Sequence, residues 1–137
     1  MLQAIAIVPS APVMVPELAG GAAAEVADLR AAVLTAAAAL PNRWVAVGVA
    51  AADSVIEPGR VGTFAGYGVD LRVGLSPADG GGPVKMPLCA LITGWVRGLV
   101  RPGVRVHPPV AIEPGMRRPH SVQPCREILG RALCRCA

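Results

Sequence analysis

The sequence is poor in aromatic residues and in lysine. It holds one Phe, one Tyr and two Trp among 137 residues, and its single lysine is Lys85. A core built from this chain therefore consists mainly of small aliphatic side chains such as Ala and Val. Arginine supplies the remaining cationic side chains. Together with abundant Ala, Gly and Pro, this is typical of a GC-rich coding sequence and by itself indicates no binding function.

Long apolar runs are also missing. No stretch reaches the roughly 18 consecutive apolar residues of a membrane span. The first residues carry no cationic segment, and Pro9, Pro12 and Pro16 interrupt the apolar start, so no secretory signal is predicted. Hydrophobic residues make up 53% of the chain, which argues against disorder. We therefore expect a soluble cytoplasmic protein with no membrane partner.

The positive charge is concentrated towards the C-terminus. Residues 1–92 hold five cationic and seven anionic side chains, whereas residues 93–137 hold eight and two. These later arginines are scattered, and no aromatic residue follows Trp95 to stack on a base. Electrostatic attraction alone is a weak indication, so we predict no nucleic-acid partner.

Hydrophobic patterning predicts an α/β fold. Residues 2–8 form a continuous apolar run typical of a strand buried on both faces, and 44–49 form a second one. Between them, residues 22–39 are rich in helix formers, with apolar residues at three- and four-residue spacing. A strand, a helix and a second strand predict a βαβ unit with parallel pairing. We expect a mostly parallel sheet with flanking helices.

The pattern changes twice further along the chain. Residues 50–68 predict a long connection, 69–75 a half-exposed strand, 77–83 a glycine-rich turn, and 87–100 a second helix that begins at a proline. After Val106, five prolines within seventeen residues exclude long regular elements. We therefore divide the chain into an α/β domain over residues 1–106 and an irregular Pro-, Cys- and Arg-rich tail over 107–137.

The opening segment carries a family resemblance. Residues 6–20 read Ala-Ile-Val-Pro-Ser-Ala-Pro-Val-Met-Val-Pro-Glu-Leu-Ala-Gly. This segment resembles the first strand and loop of the class III extradiol ring-cleavage dioxygenase subunit-B (MEMO-like) superfamily, and looks especially like its uncharacterised actinobacterial branch. The resemblance covers residues 2–50. It implies the N-terminal part of a larger α/β fold, with an Fe(II) site of two histidines and a carboxylate at the carboxyl ends of strands.

The positions that match the family's iron ligands hold other residues here. Ser10 stands where the resemblance places the first histidine, and 50–52, where it places the second, are all alanine. A hydroxyl is a poor Fe(II) ligand, and alanine provides none. The family's carboxylate ligand and catalytic histidine would fall beyond residue 137. We therefore predict no catalytic residue, no metal site and no cofactor, and a protein that lacks ring-cleavage activity.

Three further sets of residues are candidates for a site. A ligand pocket is predicted from Ser10, Pro12 and Asp53, with Asp53 following the second strand, where α/β proteins place binding groups. Zinc binding by the two histidines and the three late cysteines is disfavoured, because these residues lack a Cys-x2-Cys pair: His107, His120, Cys125, Cys134 and Cys136. Cys89 lies within the second predicted helix and is interpreted as a small core residue.

Two alternatives remain open beside the degenerate, non-catalytic member of the superfamily. The first is an enzyme of another type, such as an extradiol dioxygenase-like oxidoreductase, whose inherited pocket receives ligands from a missing C-terminal half or from a partner. The second is a non-enzymatic, homo-oligomeric binding module that pairs through an exposed sheet edge.

Overall fold

The structure is a computed structural model that describes residues 2–78 and 80–112, with the backbone alone for 108–112. Its helices are α1 (Pro16–Ala19), α2 (Ala27–Ala38) and α3 (Leu88–Val100). Short 3-10 helices cover Pro12–Met14, Gly20–Ala23 and Phe64–Tyr67. The strands are β1 (Arg43–Val49), β2 (Ser54–Val55), β3 (Val61–Thr63), β4 (Arg72–Gly74) and β5 (Arg105–Ile112). Helices flanking a small parallel strand pair confirm the predicted α/β class.

The principal sheet has the strand order β1-β5-β2. β1 and β5 run parallel, with Trp44 paired with Val106 and Val49 paired with Ile112, and the register shifts between Val45 and Val47. β2 pairs with β5 in the antiparallel direction, while β3 and β4 form a separate antiparallel pair. The parallel connection therefore runs from β1 through α3 to β5, and β5 occupies the centre of the sheet.

The core lies between α3 and the strands. On α3, Leu91, Ile92 and Trp95 are nearly inaccessible to solvent, whereas Leu99 near the end of the helix is exposed. Trp44 and Val106 come from the paired strands β1 and β5 and face the same core. Several other fully buried side chains come from the loops and short helices, namely Phe64, Met14, Val15 and Leu75. Because the chain has few aromatic residues to fill the core, aliphatic side chains from the loops complete the packing.

The predicted strand over residues 2–8 is wrong. These residues belong to no strand or helix, and Ile5 and Ile7 are 72% and 89% exposed. The chain enters the core only from Val8 onward, where Val8 and Ala11 pack against it and Met14 is fully buried. The parallel partner of β1 is therefore β5, which is distant in sequence, and not the segment that precedes α2.

The other predicted elements are recovered with shifted bounds. α2 begins five residues later than the prediction, after the 3-10 helix Gly20–Ala23, and α3 matches with Pro87 as its N-cap. β4 covers the middle of the predicted strand 69–75, and the connection 50–68 contains β2, β3 and a 3-10 helix. β1 matches 44–49, but it is buried on one face only.

Regular structure also extends beyond Val106. β5 continues to Ile112 through Pro108 and Pro109, because its pairing with β1 sustains an extended backbone that proline adopts readily. Irregular structure from residue 107 is thus wrong for 107–112. The rest of the predicted tail lies outside the described residues.

Candidate functional site

The carboxyl ends of β1 and β5 form the edge of the sheet where the sequence places a site. Because the strands are parallel, the segment after Val49 lies next to the end of β5 at Ile112. Residues 50–53 leave β1 through a bend, with Ala51, Ala52 and Asp53 exposed. The position predicted for a binding side chain after β1 is therefore open to solvent.

The two other predicted pocket residues, Ser10 and Pro12, lie in the segment that precedes α1. Ser10 is exposed, and Pro12 begins the 3-10 helix Pro12–Met14, which packs on α1 and α3. Asp53 instead lies between β1 and β2. These placements show no pocket that groups Ser10, Pro12 and Asp53, and their grouping stays a prediction.

Within residues 2–78 and 80–112, no group of three His, Cys, Asp or Glu side chains is placed to hold a metal ion. His120, Cys125, Cys134 and Cys136 lie outside these ranges. His107 is described, and its Nε2 accepts a hydrogen bond of 2.8 Å from Nε of Arg43. Both residues lie at the amino ends of β1 and β5, opposite the edge where the sequence places a site.

The surroundings of His107 at the amino ends of these strands lower its pKa. Partial burial lowers the pKa of His107, and the positive charges of Arg43 and Arg105 lower it further. An Nε2 atom that accepts a hydrogen bond is unprotonated, so the bond and the lowered pKa both favour the neutral imidazole. This histidine is held in place by a cation and serves as an acceptor.

Cys89 lies in the first turn of α3 against β1. Its thiol is half-buried, and desolvation raises its pKa, so the thiol form predominates. Cys89 is partly buried against Gly48 and does not belong to the buried core cluster, so its predicted role as a small core residue stays a prediction. A thiol with a raised pKa is a weak nucleophile, which argues against a reactive cysteine here.

One side of the principal sheet carries exposed apolar side chains. We call this surface the outer face; it comprises Val45, Val47 and Val49 of β1 together with Val55 of β2. These side chains are 40%, 54%, 62% and 52% exposed. Val47 and Val55 both pair with position 110, which places them on the same side of the sheet.

The outer face follows from the alternation of β1. Trp44, Ala46 and Gly48 point towards α3, so the valines between them point away from it. In a sheet with helices on both faces, these valines would be buried. In the described residues the helical layer covers one face, and the valines remain accessible.

The sequence also gives no sign of how the arginines are used. Arg97 is only 5% exposed and donates to the backbone carbonyls of Gly74, Ser76, Val104 and Pro102. Arg101 donates to the carbonyl of Ala38 at the end of α2 and to Oδ1 of Asn42. The positions of these arginines in the sequence give no indication of contacts that join distant segments, so codon bias alone does not describe what these side chains do.

Comparison of the chain with protein-family models, with curated proteins and with solved structures finds no match. None of the helices in the described part of the chain is long and apolar enough to cross a membrane.

Proposed function

We propose that this chain is a non-catalytic binding module that self-associates through its principal sheet, and that it descends from the extradiol dioxygenase subunit-B superfamily. The observation that carries the proposal is the outer face. Four valines on one side of a three-stranded sheet are accessible to solvent, and three of them are more than half exposed (Val47, Val49 and Val55). Exposed apolar side chains grouped on one side of a sheet are typical of a surface that contacts another macromolecule.

The edge of the sheet supports the same function. β1 pairs with β5 on one side and with no other described strand on the other. An unpaired strand edge presents backbone N–H and C=O groups that a further strand can satisfy. An apolar face that ends at an open edge suits association through the sheet, since one contact covers both features.

The proposed descent rests on the residues that replace the family's ligands. Ser10 and the alanines at 50–52 offer Fe(II) no imidazole. The family chemistry would need ligands from elsewhere, and an enzyme that recruits them is the competing hypothesis. Fe(II) binding and catechol cleavage by the purified chain, measured by metal titration and by absorbance of the ring-opened product, would refute the non-catalytic half of the proposal.

The assembly half is tested by sedimentation equilibrium over a wide concentration range. We expect a reversible dimer or larger species, weakened by Val47→Lys because a charge then has to be buried at the contact. Leu99→Lys is the matched control, since Leu99 is 57% exposed but lies near the end of α3. A chain that stays monomeric throughout, or equal weakening by both substitutions, contradicts the proposal.

A further inference from the structure

Residues 2–8 have the composition of a strand but pair with no strand in the part of the chain that the structure describes. The segment reads Leu-Gln-Ala-Ile-Ala-Ile-Val, and Leu2, Ile5 and Ile7 are 61%, 72% and 89% exposed. No backbone hydrogen bond joins residues 2–8 to the rest of the described chain. β-branched residues and unpaired backbone groups favour pairing with a sheet, so this segment is suited to add to an edge.

The open edge of β1 has the length and the side-chain pattern to receive it. β1 has seven residues, as many as the segment 2–8. On β1 the small residues Ala46 and Gly48 face the helical layer, while the valines form the outer face. Along the segment, Ala4 and Ala6 alternate with Ile5 and Ile7 in the same way.

This alternation fixes which side of an added strand faces which layer. With Ala4 and Ala6 turned towards the helices, little space is needed beside Ala46 and Gly48. Ile5 and Ile7 then continue the outer face next to Val45, Val47 and Val49. The opposite orientation would place Ile5 and Ile7 beneath the helical layer and turn Ala4 and Ala6 outward. The pattern therefore favours the registers in which both isoleucines lie on the outer face.

We propose that the occupant of the β1 edge is the segment 2–8 of a second copy of this chain, exchanged reciprocally in a two-fold dimer. Both complementary features are accessible in the described part of the same folded chain. The segment makes no backbone hydrogen bond to the rest of the described chain, while β1 has no described strand on its second side. Reciprocal exchange closes two edges and buries two segments in one symmetric assembly. This inference rests on the proposed self-association through the sheet and names its contact.

The test uses the full chain and the double substitution Ile5→Lys/Ile7→Lys, compared with Leu29→Lys/Leu99→Lys. All four positions are exposed in the single chain, so both variants should fold, which circular dichroism checks. Sedimentation equilibrium should show the dimer dissociation constant rising by at least roughly tenfold for the segment variant, because lysine replaces isoleucine where the contact is apolar. The control variant should stay within roughly threefold of the unmodified chain, within the usual range of surface changes.

Amide hydrogen exchange decides between a second copy and the chain's own edge. Amides of residues 2–8 should be unprotected at concentrations where the chain is monomeric and should become protected as the dimer forms. Protection of the segment in the monomer would show pairing within one chain and overturn the inference. A dimer that survives Ile5→Lys/Ile7→Lys unchanged would also overturn it while leaving self-association intact, whereas a chain that never dimerises would refute the proposed function itself.

Discussion

Cys89 occupies the space in which a side chain on Gly48 would have to lie. A Cβ atom built on Gly48 would stand 2.7 Å from Sγ of Cys89 and closer still to its Cβ, whereas the Cα lies at 3.8 Å. The absence of a side chain on Gly48 therefore allows the first turn of α3 to rest directly on β1. This contact sets the distance between the helical layer and the parallel pair.

We expect Gly48→Ala to lower the free energy of unfolding by about 1–3 kcal/mol, as other overpacked cores do. Cys89→Ala should not rescue it, because the Cβ remains. Cys89→Gly should, since it removes the clashing atoms, although glycine in a helix costs up to about 1 kcal/mol. Urea unfolding of the single and double variants gives the coupling energy. Equal coupling with Ala and with Gly at position 89 would contradict the close contact.

Arg97 ties three segments of the chain together. Its Nε donates to Gly74 at 2.9 Å, one terminal nitrogen donates to Ser76 at 2.9 Å, and the other donates to Val104 at 3.2 Å. Arg97→Met should cost about 3 kcal/mol, because buried carbonyls lose their donors. Arg60→Met is the control. Arg60 pairs with Glu57 at 3.2 Å on the surface, where such pairs contribute at most about 1 kcal/mol.

Thermal and urea unfolding measure both arginine variants. A loss at Arg97 no larger than the loss at Arg60 would mean that the segments around Gly74 and Val104 hold their positions without the guanidinium. Arg97→Lys is expected to recover only part of the stability, since a lysine has a single ammonium group to replace a planar fork of donors.

The lowered pKa of His107 predicts a pH dependence of stability. The unfolded chain takes up the proton near the ordinary pKa of 6.5, whereas the folded chain takes it up only at lower pH. Stability should therefore fall as the pH drops below 6.5 and level off once the folded histidine is also protonated. Protonation of His107 in the folded chain also removes the hydrogen bond from Arg43, because that bond needs an unprotonated Nε2.

His107→Gln provides the comparison, because an amide oxygen accepts from Arg43 but does not titrate in this range. The difference in unfolding free energy between the two proteins should change between pH 7 and the folded pKa of His107. His120→Gln, measured in parallel, separates the second histidine. A difference that is independent of pH would remove His107 as the source of the dependence.

Local patterns determined the helices and one strand of this protein. α2 and α3 follow from helix-forming residues with periodic apolar positions, and Pro87 marks the start of α3 because its ring suits a helix N-terminus. The apolar run 44–49 likewise predicts β1. These signals depend on neighbours in sequence, so they can be read without knowing what packs against them. The α/β class was predicted from a βαβ unit whose first strand, residues 2–8, is not formed, and it is confirmed by a different parallel pair, β1 and β5.

Tertiary structure alone decided the pairing and its consequences. Residues 2–8 and 44–49 carry similar apolar runs, yet β1 pairs with β5, since strand pairing depends on contacts between distant segments that local propensity does not encode. The same holds for the outer face, which exists because one side of β1 meets α3 while the other meets no described element. It also holds for Arg97, whose partners lie up to 23 residues away in sequence.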